Sequence, residues 1–200
     1  EIPESAGAMV DDLLRDLIDR TRKSWIVIHP GATAASRRYS AENFATVARR
    51  LVQDLDCQVI FTGTDPEHEL VEQIRDMMAV PSQSLTGALS LADFAALLAR
   101  APLLISNNTG AVHVAAAVGT PVVDLYALTN PQHTPWQVPH RVLFQDVPCK
   151  YCYKSVCPEG HHNCLRLVAP ETVVEAAAEL LDGAPAGMKS EGLRFVYPGY

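Results

Sequence analysis

The sequence lacks long apolar runs, an excess of basic residues and a secretory leader. No window approaches the roughly 18 uninterrupted apolar residues of a spanning helix, so no transmembrane segment is predicted. Its 16 Lys and Arg are outnumbered by 23 Asp and Glu, which gives a formal net charge of −7. A general nucleic-acid binder would show a basic patch or stripe, and that class of partner is excluded. Residues 1–12 carry acids where a leader would be basic.

Three motifs of common nucleotide and ester chemistry are also missing. The chain has neither a Walker loop nor G-x-G-x-x-G, which argues against a P-loop NTPase and a nicotinamide enzyme. It has no G-x-S-x-G, which argues against an α/β-hydrolase. Its 200 residues, 48% of them apolar and 20% charged, are ordinary for a globular domain with a substantial core.

Short apolar runs alternate with amphipathic segments along the chain. Strands are predicted over residues 25–29, 58–62, 84–86, 103–106, 121–126 and 142–144. Helices are predicted over residues 10–23, 40–55, 66–78, 91–100, 111–118 and 170–181. Apolar strands that alternate with helices indicate a doubly wound, Rossmann-like α/β domain with a parallel sheet. In such sheets the ligand binds outside the carboxyl ends of the strands.

Two loops at this edge have the composition of a phosphate site. Residues 29–38 combine small side chains with two arginines, Arg37 and Arg38, whose planar forks suit phosphate oxygens; the alternative is a solvated loop. Residues 106–113 lead directly into a helix, whose free N-terminal amides bind anions readily. The alternative is that Asn108 or Thr109 simply caps this helix.

A carboxylate follows the second predicted strand. Glu67 stands in the acidic segment of residues 64–69, where it could accept hydrogen bonds from ribose hydroxyls. An acidic first turn that complements the helix dipole explains the same residues equally well.

Four motifs together resemble the heptosyltransferase family (glycosyltransferase family 9), the ADP-heptose:lipopolysaccharide glycosyltransferases of the GT-B fold. They are His29-Pro30-Gly31-Ala32 with Arg37-Arg38, Thr62-Gly63 with Glu67, Leu85-Thr86-Gly87, and Asn107-Asn108-Thr109-Gly110-Ala111-Val112-His113. The resemblance runs from about Trp25 to Leu181 and covers only the C-terminal, donor-binding half of such an enzyme. The family's N-terminal half binds the acceptor and carries the general base.

The resemblance implies a role for each matching position. Thr33 and Arg37 would contact the donor diphosphate, and Glu67 would hold the ribose. The remaining donor-binding positions, which would hold the phosphates or lie beside the phosphate or sugar, are Asn108, Thr109, Gly110 and His113. Asn108 stands where the family often has Asp, and Tyr39-Ser40 where it often has Trp-Pro, which leaves the donor sugar open.

The expected function is that of the donor-binding half of an inverting glycosyltransferase. The complete enzyme would transfer a sugar from an ADP-heptose-like donor to a lipopolysaccharide-type, lipid-linked acceptor, with no cofactor for catalysis. No catalytic residue is assigned in this chain, which alone is expected to be inactive. The alternatives are a non-catalytic nucleotide-sugar-binding module and a zinc-stabilised interaction domain.

The expected organisation has three parts. Residues 1–23 would form a linker helix from a preceding N-terminal half, because the chain begins without Met and no acceptor half fits before Trp25. Residues 24–183 would form the donor domain, with a Cys-rich insert at 147–167, and residues 184–200 an irregular tail. A cytoplasmic location is expected, with peripheral contact to the inner membrane face as a further expectation.

Four of the five cysteines cluster within sixteen residues, as Cys149, Cys152, Cys157 and Cys164. The Cys-x2-Cys spacing is a usual half of a tetrahedral zinc site, and a chain without an export signal favours metal over disulfides. Structural zinc is the leading interpretation; two disulfides and free thiols remain open, and an iron–sulfur cluster or catalytic zinc is less favoured. We expect this site to lie away from the donor loops.

Overall fold

The computed structural model describes residues 1–128 and 133–183. The strands are Ser24–His29 (β1), Cys57–Phe61 (β2), Gln83–Ser84 (β3), Leu104–Asn107 (β4), Val122–Leu125 (β5) and His140–Leu143 (β6). The helices are Glu4–Leu17 (α1), Ala41–Asp54 (α2), His68–Met78 (α3), Leu91–Leu98 (α4), Gly110–Val118 (α5), Asn163–Arg166 (α6) and Pro170–Leu181 (α7). Two 3-10 turns, Ala35–Arg37 and Asp65–Glu67, follow β1 and β2.

The strands form one parallel sheet in the order β3-β2-β1-β4-β5-β6. From β1 the chain winds outward through β2 and β3, and it then crosses back to place β4 on the other side of β1. The loops after β1 and β4 therefore diverge at the centre of the sheet, which opens a crevice at its carboxyl edge. The predicted doubly wound sheet is confirmed.

Each face of the sheet is covered by helices. Ile26 and Ile28 of β1 pack into a core formed with α2, α3 and α7, whereas Val27 points to the opposite core with α1, α4 and α5. This alternation follows from the two-residue period of a strand. Because both faces are buried, neighbouring residues of β1, β4 and β5, such as Ile26-Val27-Ile28, Leu104-Ile105 and Val122-Val123, are apolar on both faces rather than alternating with polar ones.

The first helix lies closer to the N-terminus than the sequence indicates. It was predicted over residues 10–23 but spans Glu4–Leu17. Gln58 ends it, because its Nε2 donates to the carbonyl of Leu17 at 2.8 Å and its Oε1 accepts from the amide of Asp19 at 2.8 Å. Asp19 Oδ1 in turn accepts from the amide of Thr21 at 2.9 Å, which makes a turn of residues predicted as helical.

The other predicted elements are present, with ends that differ by at most two residues. The short helix α6 and the two 3-10 turns are additions to the prediction. The predicted tail at 184–200 lies outside the described residues. In the part of the chain that the structure describes, no helix combines the length and apolarity needed to cross a membrane.

Candidate functional site

Asn107, the last residue of β4, clamps both ends of the loop that follows β1. Its Nδ2 donates to the carbonyl of Pro30 at 2.7 Å, and its Oδ1 accepts from the amide of Tyr39 at 2.9 Å. The Tyr39 hydroxyl donates to the carbonyl of Val168 at 2.7 Å, which fixes the exit of the loop to the segment before α7. A buried amide with both of its groups paired is a rigid anchor. Loop residues 30–39 are thus held at both ends.

The two arginines of this loop have different surroundings. Arg38 braces the loop, because its Nε donates to the carbonyl of Ala32 at 2.8 Å and its Nη2 to that of Thr33 at 3.4 Å. Arg37 closes the 3-10 turn Ala35–Arg37, and its buried Nε has no hydrogen-bond partner within residues 1–128 and 133–183. A buried guanidinium nitrogen with no acceptor is costly, so it indicates a place where an external acceptor binds. Thr33 is exposed at the tip of the same loop.

Glu67 links the loops after β1 and β2. Its Oε2 accepts from the amide and the hydroxyl of Thr64, at 2.7 and 2.9 Å, in a capping box that starts the turn before α3. A Cβ placed on Gly31 would lie 1.8 Å from Glu67 Oε1, so only glycine at position 31 admits the carboxylate. The structural interpretation of Glu67 is confirmed, and the same contact brings its carboxylate to the mouth of the crevice.

The N-terminus of α5 carries no side-chain cap. Thr109 is the N-cap residue, but it makes no capping hydrogen bond, and its buried Oγ1 has no partner in the part of the chain that the structure describes. Thr109 thus occupies the N-cap position, as the alternative predicted, but neither its hydroxyl nor the side chain of Asn108, whose Nδ2 donates to Asp124, makes the capping hydrogen bond. A Cβ on Gly110 would meet nothing within 4 Å, so open space faces the first turn. Unsatisfied amides at a helix start beside open space form an anion site.

Asp124 on β5 is a buried residue of the site that sequence reasoning missed. Asn108 Nδ2 donates to Asp124 Oδ2 at 2.8 Å and also to the carbonyl of His133, whereas Asp124 Oδ1 has no partner. Burial raises the pKa of Asp124 to about 8, and the hydrogen bond from Asn108 opposes part of the rise. The group is therefore mainly neutral at pH 7, so no carboxylate charge opposes an anion beside Asn108. A lone Asp in the apolar run of residues 121–126 was the available signal.

Two histidines border the crevice. His113 is exposed on the first turn of α5, where its ring lies 6.2 Å from that of His133. Partial burial, with His133 nearby, lowers the pKa of His113, which keeps it neutral at pH 7. His29, at the end of β1, shares a 3.1 Å hydrogen bond with the Thr62 hydroxyl. Burial lowers the pKa of His29, and Glu67 acts in the opposite direction.

The four clustered cysteines line one cavity. Its walls also include Ser36, Ala127, Val147, Lys150, Pro158, His161 and His162. Ser36 belongs to the loop after β1, where its amide donates to the carbonyl of Ser155 at 3.0 Å and its hydroxyl to that of Lys154 at 2.7 Å. The expectation that the cysteines lie away from the donor loops is therefore wrong. These hydrogen bonds join residues more than a hundred positions apart, which local sequence patterns do not encode.

The four thiols are free and line one cavity, without forming a finished coordination shell. The amide of Asn163 donates to His161 Nδ1 at 3.0 Å, which leaves the proton on Nε2, 3.7 Å from Cys149 Sγ. Burial raises the pKa of Cys164 to about 11, and Cys157 adds to the rise. Among residues 1–128 and 133–183, no three His, Cys, Asp or Glu side chains form a ready-made metal site. The structure contains neither of the two disulfides that the alternative interpretation requires, because all five cysteines are unpaired.

Comparison with known proteins places the chain in a family. The model of glycosyltransferase family 9 (heptosyltransferase) matches residues 11–163. Lipooligosaccharide heptosyltransferase 2 of Campylobacter jejuni is 30% identical over 171 residues, which cover 82% of this chain and 53% of the relative. Lipopolysaccharide heptosyltransferase 2 of Escherichia coli K12 is 29% identical over 159 residues, or 76% of this chain and 45% of the relative. The chain thus spans about half the length of these curated relatives.

Solved structures agree with the sequence matches. A family 9 glycosyl transferase from Veillonella parvula superposes with a TM-score of 0.81 at 29% identity, covering 92% of this chain and 53% of that one. The E. coli ADP-heptose lipopolysaccharide heptosyltransferase II gives a TM-score of 0.71 at 25% identity over the same shares. The chain belongs to glycosyltransferase family 9, the heptosyltransferase family.

Proposed function

We propose that this chain is the nucleotide-sugar-binding half of an inverting heptosyltransferase, and that it holds an ADP-heptose-like donor by its diphosphate. The acceptor of the complete enzyme would be a saccharide of the lipopolysaccharide type, carried on a lipid. The names of the relatives support this assignment: they act in lipopolysaccharide or lipooligosaccharide assembly, and one is named for ADP-heptose.

The observation that carries the proposal is a pair of unpartnered polar atoms on neighbouring loops of the crevice. Arg37 Nε, after β1, and Thr109 Oγ1, after β4, are both buried and have no hydrogen-bond partner among the described residues. Native proteins rarely leave such atoms unsatisfied, so each favours a ligand that supplies acceptors. A diphosphate supplies several, and the uncapped start of α5 adds free amides beside Thr109.

We assign the remaining donor-binding positions to the other parts of the donor. The Glu67 carboxylate faces Gly31 and accepts hydrogen bonds from ribose hydroxyls. Thr33, exposed at the loop tip, and Asn108, fixed by Asp124, lie on the diphosphate side. His113 is exposed beside Gly110, where the sugar would leave the phosphate.

In the transfer step, these groups stabilise the leaving group. As the bond between the sugar and the β-phosphate breaks, negative charge grows on the departing diphosphate. The Arg37 guanidinium and the first-turn amides of α5 are donors fixed before the reaction, and such donors lower the barrier without reorganisation. These groups, rather than a catalytic metal, would stabilise the negative charge on the departing diphosphate. The general base that activates the acceptor hydroxyl belongs to the half that this chain does not include.

We also propose that Cys149, Cys152, Cys157 and Cys164 hold one structural zinc. Four thiols on one cavity are a donor set that zinc prefers. His161 directs an N–H toward Cys149 Sγ, an outer contact that orients a ligand. Protein purified without chelator should contain one equivalent of zinc. Metal-free protein with four freely titrating thiols would contradict this site.

Calorimetry with ADP, ADP-sugars, UDP-sugars and adenosine tests the donor assignment. The chain should bind ADP and ADP-sugars more tightly than adenosine, and by itself transfer no sugar. Absence of heat with every nucleotide at millimolar concentration would contradict the donor site. Sugar transfer by the isolated chain would contradict the proposal that donor binding and acceptor activation belong to two different halves of the enzyme. Binding without turnover after the N-terminal half is supplied would favour the non-catalytic module.

A further inference from the structure

We propose that the cysteine-rich segment, residues 147–167, positions Arg37 for the diphosphate, so that zinc binding at its thiols and nucleotide binding in the crevice strengthen each other through Ser36. This inference rests on the proposed donor site and the proposed zinc. It assigns to the segment a regulatory role beyond local stabilisation.

Ser36 is the physical connection. It is 4% exposed and is the middle residue of the 3-10 turn Ala35–Arg37, so Arg37 follows it directly. Its two hydrogen bonds, to the carbonyls of Lys154 and Ser155, are made with the backbone of the cysteine-rich segment. A displacement of that segment therefore shifts the turn or breaks both bonds, and either change moves the guanidinium of Arg37.

The cysteine-rich segment has little of its own to fix its shape. Of its apolar side chains, Tyr153, Val156 and Leu167 are 66%, 68% and 54% exposed, whereas Leu165 is buried. Tyr151, Tyr153 and His162 adopt left-handed backbone conformations, with φ of 59°, 54° and 52°. Each such residue costs about 1 kcal/mol or more and persists only where the surroundings impose it. A cross-link among the thiols would supply that restraint.

The thiols line the cavity without yet forming a shell, so zinc must draw them inward. Cys152 and Cys157 flank residues 154 and 155, whose carbonyls hold Ser36. Ligation of these two cysteines fixes both ends of the stretch that contacts Ser36. Arg37 is then restrained before the nucleotide arrives, and preorganisation of this kind raises affinity.

Linkage makes the inference quantitative. If zinc raises the affinity for ADP by some factor, ADP must raise the affinity for zinc by the same factor. Couplings of this kind are typically about 5- to 150-fold, and we expect at least about fivefold here. Adenosine lacks the phosphates that Arg37 would contact, so its affinity should not depend on zinc.

The experiment measures both affinities in the full chain. ADP and adenosine are titrated by calorimetry into zinc-loaded and zinc-free protein, and zinc is titrated with a competing chelator with and without ADP. Hydrogen exchange at the Ser36 amide gives a readout that needs no nucleotide, because this N–H donates to Ser155. Zinc should raise the protection of that amide and the affinity for ADP, and leave the affinity for adenosine unchanged.

Two matched variants sharpen the test. Ser36→Ala should leave zinc affinity nearly unchanged and reduce the coupling factor toward one. Thr46→Ala removes an equivalent hydroxyl, which donates to the carbonyl of Glu42 at 2.9 Å on α2, and should keep the full coupling. Cys157→Ser should abolish high-affinity zinc binding and weaken ADP, whereas Cys57→Ser, in β2, should retain both.

The outcomes separate this inference from the proposals beneath it. ADP binding that is indifferent to zinc would overturn the inference and leave the donor site intact. Failure of ADP to bind at all, with Ser36 protection still raised by zinc, would overturn the donor site and with it the coupling, and would leave only the contact between the cysteine-rich segment and Ser36. Failure of zinc to bind, or zinc binding without any change at the Ser36 amide, would overturn the inference directly.

Discussion

Arg37 and Arg38 are adjacent in the chain, yet their guanidinium groups do different things. Arg38 donates to a backbone carbonyl of its own loop, whereas Arg37 has a buried Nε with no acceptor in the described residues. Adjacent arginines are indistinguishable by composition, so only the resemblance selected Arg37 in advance. The structure supplies an independent reason for the same choice.

Arg37→Ala should weaken ADP without weakening adenosine. A charge-assisted hydrogen bond contributes roughly 1.5–3 kcal/mol, which corresponds to roughly a 10- to 150-fold loss of ADP affinity. Calorimetry at fixed ionic strength measures the ADP affinity of the natural chain relative to that of the variant. Arg20→Ala, an exposed arginine before β1 and therefore at the opposite edge of the sheet, is the control and should change neither ligand. Equal weakening of ADP and adenosine would mean that Arg37 supports the fold instead.

Asp124 should make the stability of the protein fall as the pH rises. Its folded pKa is about 8 against an ordinary 3.8, so the folded state holds a proton that the unfolded state has released. Between about pH 4 and pH 8 each pH unit then lowers the free energy of unfolding by up to ~1.4 kcal/mol, and the loss levels off above the folded pKa.

Asp124→Asn removes this titration, so its stability relative to the natural chain should grow from pH 5 to pH 8. Urea unfolding at several pH values measures the difference. Asp76→Asn, on the exposed face of α3, is the control and should follow the natural chain. A constant offset between Asp124→Asn and the natural chain would show that Asp124 does not change its protonation on folding.

At the scale of elements, the crevice depends on two glycines in opposite ways. Gly31 is constrained by its neighbour, because a Cβ would collide with Glu67 at 1.8 Å. Among the residues that the structure describes, none lies within 4 Å of a Cβ placed on Gly110. A glycine that the fold does not require, at a helix start with unpaired amides, is explained by the approach of a ligand.

Alanine substitutions at these glycines should therefore have opposite signatures. Gly31→Ala should displace Glu67, break the capping box before α3 and cost about 1 kcal/mol or more of stability, with weaker binding of both ADP and adenosine. Gly110→Ala should leave the free energy of unfolding nearly unchanged but weaken ADP selectively. Chemical denaturation measures the free energy of unfolding of each variant, and calorimetry measures its affinity for ADP and for adenosine. Loss of stability in Gly110→Ala would contradict an open first turn.

The elements also show what local sequence patterns could and could not predict. The apolar runs of β1, β4 and β5 and the stripe of α2 follow directly from periodicity, so the sheet and its covering helices were predictable. The end of α1 was not, because it is set by Gln58, about forty residues away. The contact of Ser36 with Lys154 was not predictable for the same reason. Asp124 was visible as a lone acid in an apolar strand, but its hydrogen bond to Asn108 required the sheet.

At the scale of the whole molecule, ligand binding should raise thermal stability. ADP at one hundred times its dissociation constant adds about 2.7 kcal/mol to the folded state. For a chain of this length that corresponds to a rise in Tm of about 5–10 °C. Thermal unfolding followed by circular dichroism measures it, with adenosine at the same concentration as the control. An equal shift from adenosine would place the binding energy in the nucleoside rather than in the diphosphate.

The clamp made by Asn107 has a consequence for how this protein can change. Because one side chain fixes the start of the loop at Pro30 and its end at Tyr39, the residues between them form a cassette whose attachment points do not depend on its contents. Variation within residues 32–35 can alter which donor is accepted while the sheet stays as it is. A library that randomises residues 32–35 and retains Pro30, Ser36, Arg37, Tyr39 and Asn107 would therefore explore new donor preferences within one unchanged scaffold.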